Sequence, residues 1–434
     1  MKEAFFQTAR ELAERGKENI PNPLRSSGNL VYSSPATLAY NSPGAQGFGV
    51  KRAALTLPGS VMLLVSPRCC GRNTSGLNGN GPYGDRMYYL LQDETDIVTG
   101  RHLYKIADAV QEICSSRKEK PSAVMICITC TDALLGTDME RVCRKCESLT
   151  GIPAVPCYMY ALTREGRLPP MVSVRKSVYS LLKPGKRRPD AVNLLGFFSP
   201  LQEDCELYEI LHKAGVKVIR ELSRCGTFAE YEKMAEANFN LVLFPEARYA
   251  ALDLEKRLNI PFIELTRSYD TEKIAKQYLL LGQAAGFSVD VSSCRAEAEK
   301  EISAFRASFG NPSFSVGEWL NADPFELALS LLRYGFPVKE IFGTLGEANF
   351  IYVKKIAFLS PETKVYSNLS PSMLLYEERK EDLPDAVLGK DAMYYHADTP
   401  GVPWNSEEQP FGFAGTKKLF RTLAEAMEKG RKNP

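Results

Sequence analysis

Apolar runs of strand length alternate with amphipathic runs of helix length along most of this chain. The clearest series lies between Ala191 and Leu265. There AVNLLGFFS, EDCELYEILHKAG, VKVIREL, TFAEYEKMAEA, FNLVLFP, EARYAALDLEKRLN and PFIEL read as strand, helix, strand, helix, strand, helix and strand. Thr227 stands where a helix N-cap belongs, and Gly215 where a helix ends. Strands as continuously apolar as these are covered on both faces, which predicts a parallel, doubly wound sheet.

The same rhythm precedes and follows that series. SVMLLVS (Ser60 to Ser66) is a strand, followed by a Gly/Asn-rich loop over 71–84 and helical material from Tyr88. SAVMICIT (Ser122 to Thr129) is a second strand, TDMERVCRKCESL a helix, and Ile152 to Tyr158 a third strand. Two long helical stretches, from Thr271 and from Cys294, lead into a further strand–helix series that closes on the helix TKKLFRTLAEAMEKG. The pattern predicts an α/β protein of three Rossmann-like domains, with mainly parallel β-sheets flanked by helices. Their expected extents are 1–187 (an N-terminal helix and a first α/β domain), 188–310 and 311–434.

Composition narrows the function classes. Lys and Arg number 54 against 52 Asp and Glu, so no nucleic-acid partner is implied. No window reaches the roughly eighteen apolar residues of a membrane span. The first residues, MKEAFFQTARELAERGKENIP, form an amphipathic helix pattern without the apolar core of a signal peptide. The expected location is the cytoplasm, where eleven cysteines serve metal binding, catalysis or burial rather than disulfides.

The stretch CITCTDALLGTDMERVCRKC carries two Cys-x-x-Cys pairs, Cys127/Cys130 and Cys143/Cys146, at a spacing that matches a zinc ribbon. The expected elements oppose that reading. Cys127 falls inside a strand, about 10 Å from Cys130 at a rise of roughly 3.3 Å per residue, and side chains three apart on a strand face opposite ways. Cys127, Cys143 and Cys146 read as small apolar core residues. Cys130 differs, because it falls at the carboxyl end of a parallel strand, where open α/β sheets bind ligands. A second strand end, VSPRCCG, brings Cys69 and Cys70 to the same crevice, and thiolates from separate loops suit an iron–sulfur cluster. GNGPYG (Gly79 to Gly84) matches a dinucleotide fingerprint only in its letters, since it neither leaves a strand nor opens a helix. No G-x-x-x-x-G-K-[ST] is present, so no nucleotide is expected on this chain.

LQDETDIVTG (Leu91 to Gly100), AVMICITCTDALLGTDMERV and GIPAVPCYMY together resemble the first domain of nitrogenase component 1 proteins. In that family a Glu-x-Asp-Ile-Val-x-Gly segment leads to a strand ending in cysteine and an Ile-Gly-Asp-Asp loop, here Leu135-Gly136-Thr137-Asp138. NLVLFPEARYAALDLEKRLNIPFIEL and PFGFAGTKKLF also fit, so the likeness covers most of the chain. It implies a cluster-binding first domain with Cys69, Cys70 and Cys130 as metal ligands, and Ser42 standing near the place of a further, missing cysteine. Asp96 and His396 are candidate proton donors, with Asp398 beside them. The family's cofactor-binding cysteine, which would fall near Leu243 to Pro245, is absent.

The resemblance further implies a homodimer or heterodimer with a homologous subunit and a cluster at the interface. Two Cys70/Cys130 pairs would supply four thiolates for a 4Fe–4S cluster, and adding Cys69 would supply six for an eight-iron P-cluster-like species. An ATP-dependent iron–sulfur reductase would deliver electrons. The implied function is a nitrogenase-like reductase component that passes electrons to a small molecule. The alternative is a scaffold that binds or assembles a metallocofactor without turnover.

Overall fold

A computed structural model describes residues 3–25, 35–36, 49–67, 84–159, 168–380 and 383–432. Its strands form three sheets. The first has the order β3-β2-β4-β5, from β2 (Val61–Pro67), β3 (Met87–Gln92), β4 (Val124–Ile128) and β5 (Ala154–Tyr158), all parallel. The middle sheet, β7-β6-β8-β9, joins β6 (Ala191–Leu195), β7 (Val218–Glu221), β8 (Phe239–Val242) and β9 (Phe262–Glu264), again all parallel. The C-terminal sheet comprises β10 (Phe314–Val316), β11 (Val338–Phe342), β12 (Lys364–Tyr366), β13 (Ala386–Leu388) and β14 (Gly401–Val402) in parallel. The short strand β1 (Gln7–Thr8) adds antiparallel to β12 at its edge.

These strands form where the apolar runs demand burial. Every residue of β4 and β6 is buried, as expected of a strand covered on both faces. Alternation sorts the first sheet into two layers. Met62, Leu64, Met125 and Cys127 pack on one face with helix Gly49–Leu55 and helix Pro170–Ser180. Val61, Leu63, Val65, Ile126 and Ile128 pack on the other with helices Arg101–Ser116 and Met139–Thr150. Thr227 and Glu230 form a reciprocal capping box, and Gly215 takes φ 88° beyond the helix Glu206–Lys213.

The edge of the first sheet differs from the sequence reading. The helix expected from Tyr88 is instead β3, followed by helices Glu94–Val98 and Arg101–Ser116. MYYLLQ is aromatic and apolar enough to pair with β2 over its whole length, from Met62↔Met87 to Pro67↔Gln92, and Asp93 then caps the helix that the sequence placed too early.

The chain divides into two compact units. One contains the first and middle sheets. The other contains the C-terminal sheet together with the N-terminal segment, helix Glu206–Lys213 and helices Thr271–Ala285 and Ser292–Phe309. The grouping differs from the linear one because of particular contacts. Thr8 caps helix Ala9–Arg15, whose first amide donates to Thr363 O at 2.8 Å. Phe305, before the expected boundary, contacts Phe314, Phe336 and Phe420. Among the described residues no helix is long and apolar enough to cross a membrane.

Candidate functional site

The carboxyl edge of the first sheet gathers the chemistry. β4 ends at Ile128, and Cys130 opens the short helix Cys130–Leu135, so its backbone stands at the strand end, as the apolar pattern implied. Gly136 at φ 64° ends that helix, and Asp138 caps the next one by accepting from Arg141 N at 3.0 Å. β2 ends at Pro67. Cys69 and Cys70 follow it, and they lie outside the described residues, as does Ser42.

β3 ends at Gln92 and hands over to Asp96. Asp93 Oδ1 accepts from Asp96 N at 2.7 Å, which fixes the turn. Lys105 Nζ donates to the Asp96 carboxylate, and Arg101 stands 4.0 Å away. The Lys105 hydrogen bond holds the Asp96 carboxyl below its usual range against the opposing effect of burial. Asp96 is therefore a paired carboxylate, with its backbone oxygen turned toward His102 Nδ1 at 3.3 Å.

Buried polar atoms without partners mark this edge. Ser66 Oγ and Thr129 Oγ1, at the ends of β2 and β4, have none. Nor do His102 Nε2, Asp132 Oδ2 or either end of the Gln92 amide, although all three residues are buried. His102 Nε2 lies 3.8 Å from Asp132 Oδ1, which accepts from Thr137 Oγ1 at 3.2 Å. Burial pushes the Asp132 carboxyl up, opposed first by His102 and then by Thr137 and Gln92. The Gln92 amide is thus near enough to favour the carboxylate without meeting hydrogen-bond geometry. Sequence reasoning missed Gln92, His102 and Asp132. One signal was legible: His102 falls in the stripe His102, Ile106, Val110, Ile113 that helix Arg101–Ser116 buries.

The other cysteines of the two Cys-x-x-Cys pairs are core. Cys127 is fully buried in β4 beside Cys157 of β5, its neighbour in register. Burial raises the Cys127 thiol to about 12, opposed by Lys51. Cys143 and Cys146 are buried on helix Met139–Thr150, facing the sheet.

His396 lies in the other compact unit from Asp96 and Cys130. Its Nε2 is 2.7 Å from Glu340 Oε2 and its Nδ1 2.6 Å from Glu378 Oε1, so both ring nitrogens are engaged. Asp398 is exposed two residues on. After β8, where the resemblance would put a cofactor cysteine, Leu243 is buried, and the Arg175 guanidinium lies over the rings of Phe198 and Phe244 while Nη1 donates to Glu246 at 2.5 Å.

Comparison with known proteins gives this edge a context. Residues 45–397 match the nitrogenase component 1 type oxidoreductase family. The nitrogenase iron-molybdenum cofactor biosynthesis protein NifE of Sinorhizobium fredii is 23% identical over 94% of this chain and 86% of that protein. The NifE proteins of Nostoc sp. and Klebsiella pneumoniae are 26% and 28% identical, over 58% and 45% of this chain. The chain spans about half the length of these two, 54% and 46%. The solved structure "Nitrogenase Cp1 at pH 6.5" superposes with a TM-score of 0.69 at 15% identity, covering 96% of this chain and 95% of its own. The parallel sheets, the strand-end Cys130 and a match across most of its length identify the chain as a member of the nitrogenase component 1 type oxidoreductase family.

Proposed function

We propose that this chain is a metallocofactor scaffold of the nitrogenase component 1 type, which holds a metal–sulfur cluster at the carboxyl edge of its first sheet and takes part in building or passing on a metallocofactor. The observation that carries this reading is the strand-end position of Cys130 beside buried hydroxyls with no partner of their own. The residues present fit such a group. Cys130 follows β4 and Cys69 and Cys70 follow β2; Thr129 immediately precedes Cys130 and Ser66 lies three residues before Cys69, each with an unsatisfied O–H group. Thiolates would hold the iron, and hydroxyl donors directed at sulfur tune a cluster's potential. When bound, the cluster supplies one-electron storage. The chain's own part is to supply ligands, exclude water and keep Asp96 as a carboxylate through Lys105.

Assembly is favoured over turnover by two observations. The relatives named above are cofactor biosynthesis proteins by name, and the region Leu243 to Pro245 holds a buried Leu243 and no cysteine. His396, with each ring nitrogen held by a carboxylate, fits a structural ion pair better than a proton donor to substrate. The rival reading is a reductase component that takes electrons from an ATP-dependent iron–sulfur partner. In either reading a homologous or identical subunit completes the cluster's ligand set, giving a 4Fe–4S or an eight-iron species.

Iron and acid-labile sulfide in anaerobically purified protein, with EPR after reduction, test the proposal in wild type and Cys130→Ala. About four or eight irons per dimer, lost in the variant, support it, and iron indifferent to Cys130 overturns the ligand assignment. Transfer of label from iron-57-loaded protein to an apo acceptor, without substrate-dependent reoxidation, separates scaffold from reductase.

A further inference from the structure

A buried histidine, carboxylate and amide meet on one face of the first sheet, and their unpartnered atoms point to a ligand of a different kind. His102, Asp132 and Gln92 are 5%, 1% and 5% exposed. His102 Nδ1 lies 3.3 Å from the carbonyl oxygen of Asp96. A carbonyl only accepts, so Nδ1 carries the hydrogen and donates, and in the neutral ring Nε2 keeps its lone pair. That nitrogen has no hydrogen-bond partner and stands 3.8 Å from Asp132 Oδ1, beyond hydrogen-bond reach. Asp132 Oδ2 and both Oε1 and Nε2 of Gln92 are likewise unpartnered, and the amide can turn to present its oxygen.

Strand alternation places Gln92 with this pair. Tyr88 and Leu90 of β3 pack on the face that also carries Ile106 and Val110 of the His102 helix, and Gln92 follows them at a period of two. By the same rule Ser66 and Thr129 follow Leu64 and Cys127 on the opposite face. Buried polar atoms left without partners are costly, and a cation held by the lone pairs among them removes that cost.

We propose that His102 Nε2, the Asp132 carboxylate and Gln92 Oε1 bind a first-row divalent cation, with water completing its coordination. Imidazole with carboxylate and amide oxygen is a donor set for manganese, iron(II) or zinc rather than for a thiolate-bound cluster. Bonds of about 2.0–2.2 Å to nitrogen and oxygen bridge the 3.8 Å gap at a wide angle. The hydrogen bond from His102 Nδ1 to a backbone carbonyl is the outer contact that orients metal-bound imidazoles. Among the described residues no three His, Cys, Asp or Glu side chains converge, so the amide and water must supply the remaining bonds. The site shares no side chain with the cluster ligands proposed above and does not rest on them.

Manganese(II) is the probe, because it disfavours thiolates. Full-length, chelator-treated protein is titrated with Mn2+ and followed by the loss of the free-ion EPR signal. Wild type and Cys130→Ala should each take up one equivalent. Asp132→Asn and His102→Gln should weaken binding at least about tenfold, the lower end of the loss for even an outer-shell partner. Pulsed EPR of the wild-type complex should show coupling to an imidazole nitrogen, a readout that needs no variant to fold. Absence of Mn2+ binding, absence of nitrogen coupling, or undiminished binding in both folded variants overturns the proposal. Iron lost from Cys130→Ala while Mn2+ binding persists separates this site from the cluster.

Discussion

The imidazole of His396 is fully buried against Glu340, with Nε2 2.7 Å from Oε2, and Glu378 closes on the opposite ring nitrogen at 2.6 Å. Glu340 lies on β11 and His396 at the end of helix Lys390–Tyr395, so the pair ties that helix to a strand of the C-terminal sheet. Tyr376 adds its hydroxyl at 3.2 Å from Nε2. Burial opposes the charge on the ring, but the hydrogen bonds and charges of Glu340 and then Glu378 outweigh it and push the imidazole above its usual range.

A raised histidine pKa has a definite sign. The stabilisation is fully present below the unfolded value of roughly 6.5 and is lost as pH rises through the higher folded value. His396→Gln keeps the shape but carries no charge, and should cost about 3–5 kcal/mol at pH 6, as for a buried pair that loses a partner. The deficit should shrink by pH 9. Both tryptophans of the chain, Trp319 and Trp404, lie in this compact unit, so urea unfolding followed by tryptophan fluorescence reads it directly. A deficit unchanged between the two pH values would mean that the charged ring is not the stabilising species.

Glu318 should titrate with the same sign of pH dependence, here because folding favours the neutral carboxyl. Burial and then the neighbouring Asp391 raise its carboxyl to about 7, although Thr344 donates to it from N at 3.2 Å and from Oγ1 at 3.1 Å. The folded chain holds a proton that the unfolded chain releases above roughly 4.3, so stability falls as pH rises from there to the folded value. Glu318→Gln, which retains the Thr344 contacts, should gain on the order of 1–3 kcal/mol relative to wild type between pH 5 and pH 8. The same fluorescence titration checks it, and parallel pH curves for the two proteins would sink the idea.

Much of this architecture was legible because parallel strands are buried on both faces and leave unbroken apolar runs, as in β4 and β6. Cys130 could be placed at a strand end for the same reason. β3 was not legible, since MYYLLQ suits either period and only its pairing with β2 decides. The destination of helix Glu206–Lys213 was hidden too. Its sequence is amphipathic in the ordinary way, while its place depends on a carboxylate meeting a helix end two hundred residues later. The group formed by Gln92, His102 and Asp132 arises from three separate elements, and no spacing in the chain announces such a convergence.

That helix end offers a steric test. Glu206 accepts from Phe413 N at 2.7 Å, Ala414 N at 3.0 Å and Tyr278 OH at 2.8 Å, which satisfies the start of helix Gly412–Lys432. Gly412 has φ 61°, and a Cβ there would sit 1.9 Å from Glu206 Oε1. Gly412→Ala should therefore cost about 1–3 kcal/mol through overpacking and displacement of the cap. Glu206→Gln, which turns an acceptor into a donor facing an amide, should cost a similar amount, about 1–3 kcal/mol. Because both act on one contact, the double variant should lose less than the sum. Additive losses in tryptophan-detected unfolding would show that the two residues do not share it.

The thiols themselves give the last test, and it bears on the Cys-x-x-Cys pairs. Cys127, Cys143 and Cys157 are buried in the first sheet's core, and burial raises all three thiols, Cys127 to about 12. Cys146 is fully buried as well and raised to about 11 by burial, with Lys145 opposing. A thiol reacts as its thiolate, so none of these four should react with a disulfide reagent at pH 8 in the folded protein. Among the described thiols the half-buried Cys114 and Cys294 should react first, and Cys225, which burial raises to about 11, after them. Mass spectrometry after brief labelling resolves the positions. Chelation of zinc would expose Cys127, Cys143 and Cys146 together if they formed a ribbon-type site. Labelling that is indifferent to chelator and begins only with urea unfolding is the outcome expected of core residues, and it leaves Cys130 as the one member of the motif free to act elsewhere.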